Sequence, residues 1–180
     1  QSHETARALE KDAADLFEMT RRFNLGQEHS ARDAGKKPIA TRNLIDWSPA
    51  LFVGHTGIDE QHKRLVEIAN ALNSAMHSGE GTQAMGHVLN ELVDYTVKHF
   101  AYEEGEMKQH HYPKSEAHLA EHKKLVAEVS AFKKKFDSGQ GAISVELMGF
   151  LRDWLLNHIL KVDKHLAQHL VSTGHGGRKQ

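Results

Sequence analysis

Between residues 99 and 122 the chain reads HFAYEEGEMKQHHYPKSEAHLAEH, and this stretch constrains the fold more than any other. His99 and Glu103 are four apart, as are His118 and His122, with Tyr112-Pro113 between the two pairs. Residues four apart on a helix stack on one face, about 6 Å from each other, so each pair can close on one metal centre. Proline stops the first helix and reverses the chain, so the two pairs face each other across an antiparallel helical hairpin. A carboxylate and three imidazoles aimed at one point make a metal site.

The rest of the chain supplies helices to complete that hairpin. Gly57-Ile58-Asp59 marks an N-cap at Asp59, followed by a face of His62, Leu65, Ala69, Leu72 and Met76 that ends at Ser78-Gly79-Glu80-Gly81. Thr82 caps the next helix, whose stripe is Leu89, Leu92, Thr96, His99 and Glu103. Pro113 and Ser115 open the third, with His118, His122, Leu125, Val129, Phe132 and Phe136 in register up to the break at Ser138-Gly139-Gln140-Gly141. The fourth runs from Ile143 to Leu170 with Leu147, Leu151, Trp154, His158 and Val162 inward. The expected fold is all-α, an up-down-up-down four-helix bundle with an N-terminal helical extension. In that extension Ala6, Leu9, Ala13, Leu16, Thr20 and Phe23 form a heptad seam over residues 1–24. A polar, glycine-punctuated linker covers 25–42, the bundle 43–173, and a flexible tail 174–180.

Composition removes several classes of function. The chain has no cysteine, which excludes disulfides, thiolate zinc sites and iron–sulfur clusters. A net charge of −1 gives no case for nucleic acid or an anionic membrane, and no apolar run is long enough to span a bilayer. The expectation is a cytoplasmic protein. The run Lys133–Lys135 reads as a solvated helix face. With 15 histidines against 23 Lys+Arg, imidazole is the excess that calls for a reason.

Height in the bundle supplies one. His62 lies at the start of its helix, His99 and Glu103 toward the end of theirs, His118 and His122 at a start, and His158 and Asp163 in a latter half. Alternating helix direction brings all seven to one end. His158 and Asp163 are five apart, hence about 140° around an α-helix, so Asp163 is expected to reach sideways and bridge two ions. Nitrogen and oxygen ligands without sulfur fit iron or manganese, the imidazole excess favours iron, and zinc stays possible.

Residues 43–171 resemble the bacterial hemerythrin-like domains, through IDEQHKRL (58–65), HFAYEEGEM (99–107), the Tyr-Pro at 112–113, HLAEH (118–122) and WLLNHILKVDKHL (154–166). The resemblance implies two iron ions in an oxo- or hydroxo-bridged centre that binds dioxygen reversibly. His118, His122 and His158 would hold one ion, His62 and His99 the other, with Glu103 and Asp163 bridging. The second ion would keep an open position for dioxygen. The N-terminal seam resembles the closing segment of a chemoreceptor signalling helix, or else a generic coiled coil. The implied role is an oxygen or redox sensor module, with signalling partners or self-association through that helix. A di-iron oxidase or peroxidase, or a metal store, is the other reading; no tyrosine or spare carboxylate is marked beside the open position, so an enzyme is not expected. His55 departs from the aliphatic residue such domains often carry, and is expected near the site entrance or in water. Glu104 is expected to face outward or to contact a ligand from behind, and Asp59 to cap its helix or orient a ligand imidazole. His165 and His169 form a further HxxxH, read as surface residues that scavenge metal, and Trp47, Phe52 and Trp154 read as core.

Overall fold

The computed structural model describes residues 42–176. The expected helix over 1–24 and nearly all of the linker lie outside that range. Helix α1 spans Thr56–His77, α2 Thr82–Gln109, α3 Ser115–Asp137 and α4 Val145–Asn157. A π-helical segment, His158–Asp163, joins α4 without a break to α5, Lys164–Ser172. These last three make the fourth rod of an up-down-up-down bundle, and no strand occurs among the described residues. No described helix is long and apolar enough to cross a membrane.

Helix α1 starts three residues before the expected cap. The His55 ring accepts the Ile58 N–H at 3.3 Å and so acts as N-cap itself, buried at 3 % exposure. Asp59 neither caps the helix nor touches a ligand. Its carboxylate accepts the backbone N–H groups of Val53 at 2.7 Å and Gly54 at 3.1 Å, tying the incoming arm to the first turn. Farther along, Asn70 exchanges two hydrogen bonds with the Ile45 backbone, 3.0 and 2.9 Å, and Asn73 donates to the Arg42 carbonyl. The arm is thereby strapped along α1, with Ile45, Leu51 and Val53 buried. Phe52 lies between two of those inward residues and points the other way. It is 50 % exposed, with its ring 5.6 Å from that of Trp47, and so is not core as expected.

Glycines end three of the helices in one way. After α1 the Glu80 N–H reaches back to the Ala75 carbonyl with Gly79 at φ 65°; after α3 Gln140 reaches Lys135 with Gly139 at φ 71°; after α5 His175 reaches Leu170 with Gly174 at φ 84°. Left-handed backbone at this position satisfies the last carbonyls, and glycine adopts it without a Cβ penalty. Helix α2 closes with the same reach, Tyr112 N–H to Met107 carbonyl at 2.9 Å, but places His111 in the left-handed position at φ 51°. The helix has therefore ended before Pro113, which only bars its resumption.

Helix α1 packs along α2, and α2 along α3, as antiparallel neighbours, burying Ile58, Leu65, Leu72, Leu89, Phe136, Met148, Ile159, Leu166 and Leu170. Lys133 departs from expectation: it is 2 % exposed, and its ammonium pairs with Asp137 one turn on. Beyond the histidine-bearing end, a cavity of about 250 Å³ lies among Leu65, Leu92, Leu125, Phe132, Leu151 and Trp154. His99, His158 and Asp163 also line it, as do the exposed Glu128 and Phe150.

Candidate metal centre

All seven residues singled out by spacing and height meet in one buried cluster. His62, His99, Glu103, His118, His122, His158 and Asp163 are each no more than 3 % exposed. Their ligand atoms fall into two overlapping sets. Glu103, His118, His122, His158 and Asp163 surround one point; His62, His99, Glu103 and Asp163 surround another. The two carboxylates belong to both sets. Glu103 Oε2 is 3.4 Å from His118 Nε2 and 3.3 Å from His122 Nε2, while its Oε1 is 3.6 Å from His99 Nε2. Asp163 Oδ1 is 3.1 Å from His118 Nε2 and 3.0 Å from His158 Nε2, and its Oδ2 is 3.0 Å from His62 Nε2. Each carboxylate turns one oxygen to each set.

The placement of Asp163 differs from the sequence expectation. The five-residue step from His158 coincides with the π-helical segment, whose i→i+5 bonding brings the fifth residue back over the first. Asp163 therefore shares the face of His158 instead of reaching sideways from 140° away.

Close approach here is not hydrogen bonding. Among the described residues, both oxygens of Glu103 and Asp163, and Nε2 of His62, His118, His122 and His158, have no aligned hydrogen-bond partner although all are buried. An isolated buried charge costs several kcal/mol even after relaxation, against about 5–15 kcal/mol for a whole fold, so two unneutralised carboxylates at 0 % exposure demand cations. Nitrogen and oxygen lone pairs converging on two points, with no sulfur, fit a pair of divalent or trivalent transition-metal ions.

With protons as the only cations, the titrations are strongly displaced. Burial pushes His99 down to about 4, opposed only in part by Glu103. Burial also works against a charged His118, but the carboxylates of Asp163 and Glu103 outweigh it and lift that imidazole to about 9. Burial and Asp163 push Glu103 upward, yet His99, His118 and His122 win and hold it at about 2. Asp163, buried but faced by His158, His118 and His62, is likewise held well below the usual carboxylate range. The cluster is built for anionic carboxylates around positive charge.

Several supporting contacts were legible only in part. Glu104 Oε1 lies 3.1 Å from His122 Nδ1, so the contact from behind a ligand is made. Gln61 Oε1 stands at 3.0 Å from His99 Nδ1 in the same relation, and nothing in the apolar periodicity points to it. The available signal is position: Gln61 precedes His62 and Glu104 follows Glu103, and a neighbour about 100° around a helix flanks the next helix. Phe100 stacks on His122 at 3.7 Å and Trp154 on His158 at 4.4 Å, and these planes fix ring orientation. Tyr112, buried, stands edge-on to His118 at 6.3 Å. His165 and His169 belong to neither set. His169 Nε2 instead meets the His110 carbonyl at 2.9 Å, docking α5 on the end of α2, and His165 is exposed.

Comparison with known proteins gives a consistent picture. A family model described as the Hemerythrin HHE cation binding domain matches residues 53–170. The bacteriohemerythrin of Methylococcus capsulatus is 40 % identical over 122 residues, covering 67 % of this chain and 92 % of that protein. The bacteriohemerythrin of Pseudomonas aeruginosa is 41 % identical over 117 residues, covering 65 % of this chain and 75 % of its own length. A solved wild-type hemerythrin superposes with a TM-score of 0.63 at 39 % identity, over 67 % of this chain and 93 % of that one.

Proposed function

The chain belongs to the hemerythrin family of non-haem metal-binding domains, and from that premise we propose that its centre holds two iron ions and binds dioxygen reversibly. The observation that carries this is the sharing of Glu103 and Asp163 between two sets of ligand atoms. One ion would be held by His118, His122 and His158, the other by His62 and His99, with both carboxylates spanning the pair. Iron in two oxidation states supplies the reversible electron donation that dioxygen binding requires.

The chain's own residues set the conditions for binding without turnover. The position with two imidazoles has fewer protein donors than its neighbour, and the difference leaves room for an external ligand. The apolar cavity counts His99, His158 and Asp163 among its lining. An apolar gas partitions into such a space more readily than water does, because its walls offer water almost no hydrogen bonds. Tyr112 stands edge-on to His118, one of the three imidazoles of the other position.

The heptad seam over 1–24 supports a sensor role, in which the bundle reports oxygen or redox state to a cytoplasmic signalling partner or to a second copy. Purified protein loaded with ferrous iron should contain two iron ions per chain. The colourless reduced form should gain a visible charge-transfer band in air and lose it on degassing. One tightly held zinc ion per chain, or steady consumption of oxygen with a reductant, would sink the assignment.

A further inference from the structure

We infer that Glu104 and Gln61 make the two metal positions electronically unequal, so that the ion at the His118/His122/His158 position gives up its electron first. The inference rests on the two-iron reading above and concerns how this chain tunes it. Glu104 and Gln61 meet ligand imidazoles in matching geometry. Each places a side-chain Oε1 at the Nδ1 of a histidine whose Nε2 faces the cluster, 3.1 Å for Glu104 on His122 and 3.0 Å for Gln61 on His99. With Nε2 committed to a metal, Nδ1 carries the proton and donates it in both cases. The acceptors differ in charge alone, since carboxylate and carboxamide have nearly one shape.

A carboxylate acceptor draws the Nδ1 proton toward itself and leaves the imidazole a stronger donor at Nε2, and charge-assisted bonds of this kind are about twice as strong as neutral ones. A carboxamide offers a dipole and no net charge. The higher oxidation state carries one more positive charge, so it is favoured where donors are more basic and an anion is near. Glu104 is a quarter exposed, which weakens its field, but the hydrogen bond conveys its influence through the ring itself. Phe100, stacked on His122 at 3.7 Å, keeps the other face of that ring from water. Among the described residues His62 Nδ1 and His118 Nδ1 have no hydrogen-bond partner, whereas His122 and His99 meet Glu104 and Gln61 from behind.

The test is an anaerobic redox titration of the two-iron protein with a one-electron ferricyanide-type mediator, which accepts one electron from each ion in turn. Electron paramagnetic resonance follows the mixed-valent form, and iron is counted beforehand. Glu104→Gln should make the first oxidation harder and lower the stability of the mixed-valent form about tenfold, the difference between a hydrogen bond to a charged and to a neutral acceptor. Gln61→Glu should lower it comparably by easing the second oxidation, and Glu104→Asp should restore the wild-type resonance. The double exchange, Glu104→Gln with Gln61→Glu, should move the ferric ion to the other position and change the resonance. If both single variants keep two irons and leave both oxidation steps and the resonance unchanged, the inference is overturned while the two-iron reading stands. If the parent protein never holds two irons, both fall. Should Glu104→Gln lose iron, Gln61→Glu alone decides, since it leaves the three-imidazole position intact.

Discussion

At the scale of residues, the cluster is a balance of charges that protons can satisfy only over a narrow range. Metal-free protein should show this as a pH dependence. His118, lifted to about 9 from 6.5, contributes stability that is complete below pH 6.5 and lost as pH rises through about 9. The size is on the order of 3 kcal/mol, from about 1.4 kcal/mol per pH unit. On the acid side, His99 is held down to about 4 and resists protonation, so stability falls as pH drops below 6.5. Glu103, held near 2, adds to that loss as the carboxylates protonate. Melting temperatures of metal-free protein should therefore peak near pH 6.5. Bound metal takes the place of the His118 proton, so loaded protein should lose the alkaline flank; an unchanged flank would contradict the ligand role of His118. These residues were readable from the chain because ligand types recur at helical spacing. Gln61 was not, because a carboxamide behind a ligand leaves no periodic trace.

Among elements, the helix ends show where local rules and the fold disagree. Three helices close on glycine, whereas α2 closes on His111 at φ 51°, exposed and without any hydrogen bond found for its ring. Left-handed backbone costs a residue with a Cβ about 1 kcal/mol relative to glycine. His111→Gly should therefore raise stability by up to about 1 kcal/mol, a melting shift of about 2–4 °C for a chain of this size, with metal content unchanged. No shift, or a loss, would mean that the imidazole itself stabilises the turn. The four helices and their order were legible because each carries an apolar stripe bounded by turn residues. The start of α1 was not, since histidine is an uncommon cap and Asp59 looked like the better one. The π-helical segment had a signal in plain sight, two candidate ligands five apart, but an α-helical reading converts that spacing into a sideways reach. Phe52 and Lys133 failed for a shared reason: exposure at one position depends on which neighbours turn inward, and composition does not report that.

Over the whole molecule, the bundle divides into a polar end, where side chains converge, and an apolar half that does not close on itself. The cavity of about 250 Å³ lies in that half, among apolar side chains. Heat and hydrostatic pressure probe that division differently. Heating acts on enthalpy and entropy, and metal bound across all four rods should raise the melting temperature. Pressure acts on volume, and unfolding eliminates voids, with changes of about −20 to −100 mL/mol that grow with the space removed. The volume change for this protein should lie toward the large end, and Leu151→Phe, which fills part of the cavity, should reduce it. High-pressure fluorescence of the Trp47→Phe variant, whose one remaining tryptophan is Trp154 on the cavity wall, measures this; an identical volume change with Leu151→Phe added would show the space to be already filled. A bundle whose candidate metal-binding residues join its helices at one end can thus be robust to temperature and still yield to compression, because heat tests the joined end and pressure the cavity beside it.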